Sequence, residues 1–296
     1  MVRYFKVSHE DSNPENFSRR KRKGFLAAWL SKLNVTGWLI FANIILFLIF
    51  ELLFGLFHVE KYIYLQPFNL FNNGYIWTLL TSMFMHANIF HLFINMLSLF
   101  FIGNFLEMII GRKRFFWLYM ISGIFAGLFF AILAFLFGNS EIGIRIFSSS
   151  ETFAVGASGA IFALAGVLCF LTPRNSVYLI TGPIIAIAIQ AALVNFLAEG
   201  VMNFISIIVN IYIFISIFSM FSISPGFRAV SIPIKMPFWL LPIIAIVPLV
   251  IIGLFVELPI GNTAHLGGFI VGAFYGIYLR LRYKRKSQMI SNYFSK

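Results

Sequence analysis

Residues 156–171 read GASGAIFALAGVLCFL and are followed by Thr172, Pro173 and Arg174. Apart from Ser158 the run has no polar side chain, and Pro173 with Arg174 ends it abruptly. Its 16 residues are few for a membrane crossing, which takes roughly 20 residues of helix to span about 30 Å of hydrocarbon. If Arg174 marks one interface, a rise of about 1.5 Å per residue puts Ser158 about 24 Å above it, a few ångströms short of the opposite boundary. A hydroxyl is thereby recessed inside the membrane, where polar groups are costly and are candidates for function.

The rest of the chain makes lipid its solvent. Of 296 residues 60% are apolar, 38 are Phe and only 11% are charged; the mean hydropathy is +0.91. A water-soluble domain of this size cannot present so much apolar surface. Working outward from the short run, apolar stretches lie near 36–57, 79–106, 115–137, 156–171, 177–197, 201–222, 238–257 and 263–281. These are eight candidate transmembrane helices. The 177–222 region is broken only by Ala198, Glu199 and Gly200, so two crossings or one re-entrant hairpin both fit there. No internal repeat is visible, which argues against an inverted-repeat transporter. The expected fold is an all-α polytopic membrane protein, with a basic segment 1–35, a transmembrane domain 36–282 and a basic tail 283–296.

The net charge of +12 reads as topology rather than as a nucleic-acid surface, because the basic residues cluster between the apolar runs. With the N-terminus inside, the segments 1–35, 107–114, 172–176, 223–237 and 280–296 fall in the cytoplasm and hold 20 of the 22 Lys and Arg residues. Only Lys61 and Arg145 remain outside. Both termini are therefore expected in the cytoplasm and the chain in the cell membrane. Arg19 to Lys23 precede no small-residue cleavage site, so no cleavable signal peptide is expected. Residues 24–33 carry Phe25, Leu26, Trp29, Leu30 and Leu33 at helical spacing beside this basic run. A helix lying on an anionic membrane face and a solvated linker both fit them. Cys169 stands alone, which excludes an intramolecular disulfide and a cysteine-based metal site.

The ionisable groups at membrane depth are His86, His91, Glu107 and His265. Glu107 precedes Gly111 and three basic residues, where it can reach the interface and bond to neighbouring backbone, so a structural role is expected. His86 and His91 are five apart and lack an H-E-x-x-H pattern, so no metal is expected. His91 and Asn95 are four apart and share one helix face; a joint polar site and interhelical adhesion both fit. Counting helix rise back from Arg280 to His265 gives about 22 Å, and from Arg112 to Asn95 about 26 Å, which matches the level of Ser158. Gly159, Ala163 and Gly166 follow the serine, and Gly268, Gly272 and Gly276 share the face of His265, so the two helices can approach at backbone distance.

A serine hydroxyl becomes a nucleophile when a neighbouring base takes its proton, and neutral imidazole is the usual base. Ser158 and His265 fit these roles. The only aspartate, Asp11, lies in the cytoplasmic segment, and neither Glu151 nor Glu257 has a spacing that argues for orienting the imidazole. The expectation is a dyad that needs no cofactor. The Ser158 amide at a helix start, with His91 and Asn95, could stabilise an oxyanion.

These residues resemble the rhomboid family of intramembrane serine proteases. WTLLTSMFMHANIFHLFINM at 77–96 looks like the family's second helix and its approach, GASG at 156–159 like its nucleophile motif, and AHLGGFIVGAFYG at 264–276 like its histidine helix. The resemblance implies a six-helix core, here with two added helices within the 107 residues between Ser158 and His265. It implies Ser158 as nucleophile, His265 as base, His91 and Asn95 as oxyanion donors, and His86 beside the site and open to water. Phe162 stands where many members stack a tyrosine on the histidine, and Thr78 follows Trp77 where rhomboids often have arginine. The implied partners are membrane proteins with small or helix-weakening residues near one end of a transmembrane segment. The resemblance also suggests the outer loop at about 58–78 as a gate. The alternatives are a catalytically silent rhomboid-like chaperone and a transporter.

Overall fold

A computed structural model describes residues 33–294 apart from 58, 174, 195 and 254–260. The N-terminal basic segment, including the amphipathic stretch, lies almost wholly outside the described residues, as do Arg174 and Glu257.

Glu107 ties the first two long helices together. Helix α1 spans Val35–Phe57, and α2 spans Ile89–Ile110. A helix start leaves backbone amides without intrahelical partners and carries partial positive charge. The buried Glu107 carboxylate, near the end of α2, accepts from Val35 N at 3.0 Å, Thr36 N at 2.8 Å and Thr36 Oγ1 at 2.7 Å. Arg112 lies 3.7 Å from the same carboxylate. The structural reading of Glu107 is thus the observed one, and the N-terminus of α1 meets the C-terminus of α2 at one end of the bundle.

At the opposite end Asn88 starts α2, its side chain accepting from His91 N at 2.9 Å. The helix widens into a π-helical turn at Leu99–Gly103, where Gly103 lies against Thr36. Gly111, at φ 84°, then reverses the chain directly into α3, Arg112–Phe137. A short α4, Glu141–Phe147, leads to α5, Ser158–Leu171.

Of the 14 residues of α5, 11 are buried, so this helix is the bundle's centre, enclosed by α3 and by α9 (Asn262–Arg282). Protein rather than lipid surrounds most of it. Two elements replace the expected helix start at 177. Strand β1, Ser176–Ile180, pairs antiparallel with β2, Pro233–Pro237, in the register Ser176↔Pro237 to Ile180↔Pro233. The β-branched and aromatic side chains of Val177, Tyr178 and Ile180 suit a strand, and Pro233 and Pro237 cannot donate to a helical ladder.

Between the strands come α6, Thr181–Leu193, and α7, Glu199–Ser219; α8, Leu241–Gly253, follows β2, and α10, Lys284–Phe294, follows α9. Among the described residues five helices, α1, α2, α3, α7 and α9, are long and apolar enough to cross a membrane. The apolar helices α5, α6 and α8 have 14, 13 and 13 residues, a length of about 20 Å each. Helix α7 leaves Phe204, Ile207, Ile208 and Ile211 at least half exposed, an apolar face suited to lipid. The protein is a polytopic helical membrane protein.

Candidate active site

Ser158 is the first residue of α5, and Gly156 prepares its approach. Gly156 has φ 128°, a conformation that side chains disfavour, and its amide donates to the Ser82 carbonyl at 2.9 Å. A Cβ at this glycine would lie 2.9 Å from His91 Cε1 and 3.6 Å from Ser158 Oγ. The missing side chain therefore leaves a small space between the His91 ring and the serine hydroxyl.

Helix α9 brings His265 to the serine. Its Nε2 lies 2.9 Å from Ser158 Oγ, across 107 positions of sequence. Three glycines make this possible. A Cβ at Gly268 would collide with the Gly159 carbonyl, one at Gly272 with the Ala163 carbonyl, and one at Gly276 would lie 2.9 Å from the Val167 oxygen. The two backbones touch along three turns, as the glycine spacing predicts. Phe162, one turn beyond Ser158, stacks on the imidazole with ring centroids 4.4 Å apart and planes 14° off parallel.

No carboxylate among the described residues hydrogen-bonds the far nitrogen of His265, whose Nδ1 is buried without a partner. Glu151 instead accepts from Gln66 Nε2 at 2.9 Å. The Asn262 side-chain oxygen, one turn before His265, is likewise buried and unpartnered. In sequence an asparagine at a helix start carries no signal beyond that of an ordinary cap.

His91 Nδ1 accepts from Ala87 N at 3.3 Å. A neutral ring that accepts at Nδ1 carries its proton on Nε2, the side that faces the space beside Gly156. Asn95, buried one turn further along α2, donates from Nδ2 to the His91 carbonyl at 3.0 Å. One of its two amide hydrogens is thereby held within its own helix. His86 departs from expectation: it is 1% exposed, packed edge-on against Phe47 at 6.4 Å and against His91 at 5.2 Å. The ring of Phe47 on α1 closes over it, so it is not open to bulk water. Among the described residues no three His, Cys, Asp or Glu side chains gather as a metal site requires.

The loop before α2 is tied to the segment before α5. Leu65 and Ala154 pair through backbone bonds of 3.2 and 2.7 Å, and Phe68 N donates to Ser150 O at 2.9 Å. Gln66 also accepts from Asn69, whose own oxygen accepts from Asn73 at 2.7 Å. Trp77 Nε1 donates to Tyr62 O at 2.8 Å and its ring stacks on Tyr75, while Thr78 Oγ1 donates to Tyr75 O at 2.6 Å. The loop is thus shaped without an arginine after Trp77.

A family model for the rhomboid domain matches residues 73–221. The chain is 43% identical over 93 residues to RHOMBOID-like protein 1 of Arabidopsis thaliana, covering 31% of this chain and 20% of that protein. It is 37% identical over 99 residues to the putative rhomboid protease YdcA of Bacillus subtilis, covering 33% and 43%. It is 35% identical over 145 residues to inactive RHOMBOID-like protein 8 of Arabidopsis thaliana, covering 49% and 37%. The matches thus span less than half the length of each of these relatives.

Proposed function

The chain belongs to the rhomboid family, and on that premise we propose that it is a serine endopeptidase that cuts transmembrane segments of other membrane proteins near their outer end. The observation that carries the reading is the 2.9 Å contact between His265 Nε2 and Ser158 Oγ. That is the separation at which an imidazole takes a hydroxyl proton.

In this mechanism Ser158 Oγ attacks the scissile carbonyl carbon and His265 Nε2 receives its proton. The tetrahedral oxyanion draws on the Ser158 amide, on His91 Nε2–H and on the free amide hydrogen of Asn95. The imidazolium then protonates the leaving amine, and an acyl-enzyme on Ser158 remains for water to hydrolyse. Phe162 fixes the plane of the imidazole in place of a carboxylate. Substrates with small or helix-weakening residues suit a recessed serine, because the segment must unwind to present an extended bond. The Lys and Arg distribution favours eight crossings with both termini in the cytoplasm of a cell-membrane protein. The partition into a basic segment 1–35, a transmembrane domain 36–282 and a basic tail 283–296 follows from it.

Similarity to a relative named inactive favours a second reading, a rhomboid-like protein that holds membrane clients without cutting them. Labelling the detergent-solubilised chain with a fluorophosphonate probe separates the two. The protease reading expects labelling that vanishes in Ser158→Ala and His265→Ala. An unlabelled chain with intact helical content would favour client binding.

A further inference from the structure

Far from Ser158, at the end where α3 begins and α9 finishes, these two helices border a groove of about 450 Å³. Lys113 and Arg114 stand at its α3 end, and Trp117, Leu118 and Ile121 follow on the same helix. Val271 and Tyr275 form the α9 wall. With a rise of about 1.5 Å per residue, Trp117 lies about 6 Å and Ile121 about 12 Å deeper than Lys113. The lining therefore changes along the membrane normal from cationic to aromatic to aliphatic.

No carboxylate among the described residues pairs with either cation; the ion pairs there are Arg112 with Glu107 and Arg145 with Glu141. Arg114 instead reaches the Tyr283 hydroxyl at 3.4 Å, and Arg282 lies over the same ring at 5.9 Å. Several positive charges thus gather at the mouth of a groove whose floor is apolar. Trp117 and Ile121 are 54% and 59% exposed, so the groove is open to the surrounding lipid.

An anionic phospholipid has the same sequence of chemistry: a phosphate, a glycerol ester layer suited to Trp and Tyr, and an acyl chain. Inorganic phosphate would engage only the cations and leave the deeper lining bare. We infer that this groove binds one anionic phospholipid, its phosphate held by Lys113 and Arg114 and an acyl chain laid along Trp117, Ile121 and Val271. Seated there, the lipid bridges α3 to α9, the helix whose other end carries His265.

The test is native mass spectrometry of the full chain in neutral detergent, titrated separately with phosphatidylglycerol, phosphatidylcholine and inorganic phosphate. One phosphatidylglycerol is expected to be retained in preference to phosphatidylcholine. Lys113→Gln with Arg114→Gln should weaken it about thirtyfold, the combined effect of two cations at a membrane surface. Val271→Phe keeps both charges and fills the groove, and should also weaken retention. Equal retention of the two lipids, or displacement of phosphatidylglycerol by millimolar phosphate alone, overturns the proposal. So does unchanged affinity in Val271→Phe, which would reduce the effect to diffuse surface attraction. If the double variant fails to fold by circular dichroism, Val271→Phe decides.

Discussion

Gly268→Ala tests whether backbone contact between α5 and α9 sets the distance on which the proposed chemistry depends. The added methyl would overlap the carbonyl oxygen of Gly159, the residue next to Ser158. Ordinary contact between such atoms needs about 3.5 Å, so the helices must separate by about 1 Å or more. Gly268 is one turn from His265, and the displacement passes to the imidazole almost undiminished. The 2.9 Å contact would open to about 4 Å, beyond hydrogen-bond range. A misplacement of that size costs on the order of a hundredfold in rate. The assay is the second-order rate of fluorophosphonate labelling, with helical content followed by circular dichroism. Gly200→Ala is the control, since a Cβ there meets nothing within 4 Å; it should label at the wild-type rate. A folded Gly268→Ala protein that labels as fast as wild type would refute the reasoning.

Three further outcomes are expected. Glu107→Ala leaves the amides of Val35 and Thr36 without their acceptor and should lower stability by about 1–3 kcal/mol; thermal unfolding in detergent should show a lower midpoint, and an unchanged one would remove the helix-capping account. His91→Ala or Asn95→Ala should each slow turnover of a transmembrane substrate by about a hundredfold while preserving thermal stability. Loss of stability with little change in turnover would instead make these residues interhelical adhesive. A disulfide between Leu65→Cys and Ala154→Cys, placed across a pair already joined by two backbone bonds, should block cleavage of a transmembrane substrate yet leave labelling by the small probe intact. Cleavage unaffected by the lock would dismiss the loop as a gate.

The approach of Ser158 to His265 was legible because its causes are local. Helix rise gives depth, and glycines at three, seven and eleven residues beyond His265 mark the face that can meet another backbone. Glu107 was legible as structural from the basic turn that follows it, although its partners at Val35 and Thr36 were not. Features that depend on distant segments escaped. Val177 to Ile180 has the hydropathy of a helix, and only pairing with residues 233–237 makes it a strand. The family resemblance makes His86 open to water, whereas Phe47 of α1 packs against it. The positive φ of Gly156 goes with its bond to Ser82 and its approach to the His91 ring, neither of which spacing reveals.

The register of β1 with β2 bears on how the two reactive residues find each other during folding. Ile180 pairs with Pro233, so the chain that departs at residue 181 is back beside its starting point by residue 232. Once this clasp has formed, 52 residues no longer count toward the contour that must close between Ser158 and His265. Closure entropy grows only logarithmically with contour length, and the clasp roughly halves that contour. The size of the excursion can therefore change without altering the separation that the rest of the chain must bridge.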